Sequence, residues 1–154
     1  MNTRKHPARR SSGAKSAARA MLLPLAAESI RARSLRGHLA LEALRAGSGN
    51  GHLLSELIHI LYVAWYLREA GFGAADAALF AQAEQALECS AARASAEDVW
   101  RLDDTDVPVL EQLLTLHDDQ LRLAPVSAMR EVHKRLARFA QSDRPTPWPR
   151  FDKP

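Results

Sequence analysis

Gly51-His52-Leu53-Leu54-Ser55-Glu56-Leu57-Ile58-His59-Ile60-Leu61-Tyr62-Val63-Ala64-Trp65-Tyr66-Leu67-Arg68, residues 51–68, decides the reading of the fold. Leu54, Leu57, Ile58, Leu61 and Trp65 recur at helical spacing and define one face. Leu53, Ile60, Ala64 and Leu67 fill the flank, so only His52, Ser55, Glu56, His59 and Tyr66 are left as a polar stripe. A helix apolar over most of its circumference is surrounded by other helices. Its core from Leu53 to Leu67 spans 15 residues and carries Glu56 and His59. That is short of the roughly 20 apolar residues a membrane span needs, so a buried central helix over about 51–70 is expected, with no membrane partner.

Working outward, Gly47-Ser48-Gly49-Asn50-Gly51 ends the preceding helix and Asn50 caps the central one. Upstream, Ser34 can cap a helix through Arg45 whose apolar face is Leu35, Leu39 and Leu44 with Leu41 flanking, after a short turn at 27–33. Downstream, Gly71-Phe72-Gly73 turns the chain into a helix over about 74–94, with Leu79, Phe80, Ala83, Leu87 and Ala91 inward. The pattern breaks near Trp100–Asp104. A helix capped by Asp104 or Thr105 then runs to about Leu123 on Leu110, Leu113, Leu114 and Leu121, and Pro108 is tolerated in its first turn. Pro125 separates a last helix over about 126–141, with Met129, Val132, Leu136, Phe139 and Ala140 inward. The expected architecture is all-α: a compact bundle of about five helices over 26–142, a disordered basic arm over 1–25 and a proline-rich, irregular tail over 143–154.

Charge divides the chain sharply. Residues 1–27 hold Arg4, Lys5, Arg9, Arg10, Lys15 and Arg19 with no acid, a balance of +6, while the rest of the chain sums to −3. On the last helix Arg130, Lys134 and Arg138 recur every four residues, with Arg135 alongside. Acids crowd from Glu97 to Asp119, so any cationic surface is one-sided. Cys89 is the single cysteine, which excludes a disulfide framework and a cysteine zinc site and fits a reducing cytoplasm. The apolar run Met21–Ala27 is short and broken by Pro24, which argues against a secretory leader.

Catalytic motifs are incomplete. Gly47, Gly49 and Gly51 form G-x-G-x-G after a helix, which is not a nucleotide-binding loop. Ala43, Gly47 and Leu53 approach helix-turn-helix spacing, yet the second helix is too apolar to read base edges. Glu56 and His59 reproduce one Glu-x-x-His step of a di-iron bundle, which needs two. His38, Glu42, Glu111 and His117 are the residues that could add ligands. The expectation is a polar seam without metal or other cofactor, with His117 a satisfied core or interface histidine and Cys89 inert. No Ser/His/Asp context resembles a nucleophile elbow, so no catalytic residue and no enzyme are expected.

The segments His38-Leu39-Ala40-Leu41-Glu42-Ala43-Leu44-Arg45, Gly49-Asn50-Gly51-His52-Leu53-Leu54 and Trp100-Arg101-Leu102-Asp103-Asp104 resemble small uncharacterised bacterial helical proteins. Some of these are automatically labelled Fis-family transcriptional regulators, and the similarity spans about 22–143. The resemblance implies a helical domain and, through that label, transcription regulation by a C-terminal helix-turn-helix. This chain ends instead in one basic helix and the tail. The reading from sequence is therefore a non-enzymatic, DNA-associated accessory or regulatory protein. Its phosphate contacts come from Arg4, Lys5, Arg9, Arg10, Lys15 and Arg19, assisted by Arg130, Lys134 and Arg138. The alternative is a helical adaptor that binds a protein partner without a nucleic-acid role. A homodimer is compatible with both.

Overall fold

The computed structural model describes residues 11–149. Six helices follow one another: α1 (Ser11–Ala20), α2 (Ala27–Arg45), α3 (Gly51–Glu69), α4 (Ala77–Glu97), α5 (Val107–Leu123) and α6 (Val126–Ala140). The last five form the expected bundle. Helix α3 is its axis, packed against α2, α4, α5 and α6. Leu57, Leu61, Ala64 and Leu67 are buried along it, and none of the described helices is long and apolar enough to cross a membrane.

The joint around α3 follows its residues closely. Gly47 takes a left-handed φ of 73° and Ser48 N–H returns to the Ala43 carbonyl at 2.9 Å, which closes α2. A Cβ on Gly49 would lie 2.3 Å from Leu44 Cδ2 and 2.8 Å from the Trp100 carbonyl, so the chain can cross there only as glycine. Asn50 Oδ1 accepts from Leu53 N–H at 3.0 Å and starts α3.

Four expectations need correction. Helix α2 is continuous from Ala27, not capped at Ser34. Its buried face is Gly37, Ala40, Leu41 and Leu44, whereas Leu35 and Leu39 are 59% and 58% exposed. The small side chains face inward because α2 lies close to α3 and α5: a Cβ on Gly37 would stand 2.8 Å from Ile60 Cδ1 and 3.1 Å from Leu114 Cδ2.

The arm is not wholly irregular either. Alanines at 14, 17, 18 and 20 carry α1 through Gly13 by propensity alone, since its residues 13–20 are all exposed. Beyond α1 the chain rejoins the bundle, with Val126 N–H donating to the Leu23 carbonyl and Ser127 N–H to that of Met21, both at 2.9 Å. These bonds satisfy two free amides at the start of α6, where Pro125 offers no side-chain cap.

The third correction concerns the tail. It is irregular, but Trp148 is only 3% exposed. Its ring stacks on Tyr62 at 5.4 Å and meets Trp65 at 5.7 Å and Phe80 at 6.1 Å. The fourth is local: Ala140, expected inward, is exposed, while its neighbour Phe139 turns to the bundle and meets the Tyr62 ring at 5.3 Å.

Candidate functional site

Two regions collect charged and polar side chains. The first is the basic set read from the sequence. Arg4, Lys5, Arg9 and Arg10 lie outside the described residues. Lys15 and Arg19 are exposed on α1, and neither has an ion-pair partner among the described residues. On α6, Glu131 faces Lys134 at 3.7 Å and Arg138 at 3.3 Å and offsets part of their charge. Arg135 pairs with Glu69 and lies over the Tyr66 ring at 4.6 Å, which makes it an internal strut. Arg130 is exposed and, among the described residues, unpaired.

The second region is a cavity of about 290 Å³ where α2, α3, α5 and α6 meet. The polar stripe of α3 supplies Glu56 and His59. Helix α2 adds Arg33 and Arg36, α5 adds His117, and α6 adds Met129 and His133. Ile60, Val63 and Met129 form an apolar floor, all buried. Arg33, Arg36 and His59 keep exposed surface and mark the mouth.

His59 and His133 face each other with ring centroids 5.7 Å apart. His133 Nδ1–H donates to the Met129 carbonyl at 2.6 Å, which leaves Nε2 as its free nitrogen. Arg36 reaches Glu56 at 3.9 Å. Burial holds the His59 imidazole below its ordinary pKa; the charge of His133 lowers it further, Glu56 pulls the other way, and Arg33 adds to the lowering.

No family model, curated protein or solved structure matches the chain. What this cavity does must come from its own chemistry.

His117 is the residue that most departs from expectation. It is buried as foreseen, 5% exposed, but it is not satisfied: Nδ1 finds no hydrogen-bond partner among the described residues. Burial pushes its pKa down to about 4, against smaller upward pulls from Asp118 and Gln120, with His59 and Arg33 lowering it again. The ring is therefore neutral at neutral pH. Gln120, one turn on, spends its amide on the Ala64 and Phe72 carbonyls at 2.9 and 3.0 Å.

Of the ligand candidates, Glu56, His59 and His117 meet in this cavity. His38 instead bonds Asp118 at 2.9 Å, Glu42 pairs with Arg45 at 3.6 Å, and Glu111 is exposed on the far side of α5. Among the described residues no three His, Cys, Asp or Glu side chains converge closely enough to hold a metal ion. Cys89 is exposed, with Gln85 Nε2 3.3 Å from its sulfur. Arg33, Arg36 and His133 were not foreseen as members of the site. Their signal was helical: Arg33 and Arg36 share one face of a continuous α2, and that face vanishes if α2 begins at Ser34.

Proposed function

We propose that this protein is a non-enzymatic, DNA-associated accessory or regulatory protein whose N-terminal arm supplies the phosphate contacts. One observation carries the reading. Exposed Lys15 and Arg19 precede a segment hydrogen-bonded to the start of α6, one turn before the unpaired Arg130. The arm charges thus lead into the end of the bundle where α6 begins and Arg130 is exposed. Contacts of this kind give affinity with little sequence choice.

The test is salt-dependent binding of the full chain to duplex DNA. Each neutralised phosphate contributes about −0.9 to the slope of log affinity against log salt, so deleting residues 1–20 flattens it by up to about five units. Arg130→Ala weakens binding more than Lys134→Ala or Arg138→Ala, because Glu131 already offsets those two. An unchanged slope after arm deletion removes the arm from the mechanism, and absence of binding at low salt refutes the DNA role. A second reading, a protein-binding adaptor, is favoured by Leu35 and Leu39, which expose apolar surface one turn apart on α2.

A further inference from the structure

The four-helix cavity holds more positive than negative charge, and its guanidiniums are barely paired. Arg33 has no ion pair among the described residues, and Arg36 shares only a 3.9 Å approach with Glu56. Behind them, His117 is 5% exposed and lines the inner wall of the cavity.

We propose that the cavity binds a small phosphate oxyanion, with Arg33 and Arg36 at its charged oxygens, His59 at the mouth and His117 on the inner wall. Guanidinium groups suit this ligand because their fixed donors match phosphate geometry. The size fits as well: about 290 Å³ lies at the small end of ligand cavities, which run from roughly 300 Å³ upward. A metal cation is the poorer occupant, since two guanidiniums repel it and no three ligands converge. The groups facing His59 are Arg33 and Arg36 from α2, Glu56 on its own helix, His117 from α5 and His133 from α6. Cations outnumber the carboxylate at the cavity wall; burial is the main cause that lowers the His59 pKa, and an entering dianion opposes the smaller part that comes from neighbouring positive charge. Binding therefore draws a proton onto the His59 imidazole.

The test is calorimetry and thermal denaturation of the full chain with inorganic phosphate, with glycerol 3-phosphate and with zinc chloride. Phosphate is expected to raise the melting temperature and, by NMR, to move the His59 titration upward by about one unit. Arg33→Gln weakens phosphate binding at least about tenfold, while the melting temperature without phosphate stays put, because that side chain has no partner to lose. Arg36→Gln likewise weakens phosphate binding, and because it gives up only a 3.9 Å approach to Glu56 the melting temperature of the free protein changes little, which separates lost binding from lost folding. Tighter binding of the ester than of the free ion assigns the natural ligand to phosphomonoesters; the reverse order assigns it to inorganic phosphate. No response to either anion, or a zinc response that disappears in His59→Ala, overturns the proposal. Arg33 lies outside the arm, so none of these results depends on DNA binding.

Discussion

Helix α3 divides the interior into two unlike halves. On one side Tyr62 and Trp65 meet Phe80 and Trp148 in a packed aromatic cluster, with Trp65 and Phe80 edge to face at 5.1 Å. On the other, Glu56 and His59 look into a cavity shared with Arg33, Arg36, His117 and His133. The same nineteen-residue helix thus buries aromatic rings on one half and turns polar side chains to a cavity on the other. Packed aromatic surface stabilises by burial and by ring geometry. A polar cavity contributes little and, where a group is left unsatisfied, subtracts. The difference assigns stability to the first half and ligand chemistry to the second.

The largest effect is expected on the aromatic side. Trp148→Ala removes the ring that touches Tyr62, Trp65 and Phe80 from a residue eight positions beyond the end of α6. Equilibrium urea unfolding should show a loss of about 3–5 kcal/mol, the range for truncating a buried aromatic. A loss below about 1 kcal/mol would mean that the tail merely covers the core and the two halves are not distinguished by packing.

On the polar side the sign reverses. His117→Leu replaces an unsatisfied buried imidazole by an apolar side chain and should stabilise the protein at pH 7 by about 1–2 kcal/mol. The pH dependence follows from the folded-state value. With a pKa of about 4 against 6.5 when unfolded, the imidazole takes up a proton more readily in the unfolded chain. Stability attached to the neutral ring is present in full above pH 6.5 and is lost as pH falls toward 4. The maximum loss is roughly 3 kcal/mol at about 1.4 kcal/mol per unit. The Leu variant should lack this acid-side decline, and equal declines in both proteins would acquit His117.

Much of this division was legible in the sequence. The apolar circumference of 51–68 gives the central helix, Asn50 and Gly47 give its joint to α2, and Leu110, Leu113, Leu114 and Leu121 give the buried face of α5. Three things were not. The leucines of α2 outweigh its glycine and alanines in any hydrophobicity pattern, yet close helix approach favours the small residues, so Leu35 and Leu39 point to solvent. Trp148 sits among prolines without periodicity, and only its size hints that it docks. The cavity draws on four helices, and no sequence spacing brings His133 to His59 or His117 to Arg33; only the Glu56–His59 step was visible.

The smallest effect tests how little of the fold rests on the polar side. Arg36 and Glu56 approach to 3.9 Å with side chains 61% and 19% exposed, so their attraction acts largely through solvent. Pairs of this kind contribute about 0–1 kcal/mol, and Glu56→Gln keeps the shape and the hydrogen-bonding capacity of the side chain. Urea unfolding should therefore change by less than about 0.5 kcal/mol. Ligand binding should respond in the opposite sense, because the substitution removes the one carboxylate at the cavity wall and leaves both guanidiniums free to face an anion. Tighter phosphate binding at unchanged stability would make the polar half a site held in place by the rest of the bundle. A stability loss on the scale of Trp148→Ala would instead make Glu56 part of the frame, and the contrast between the two sides of α3 would fail.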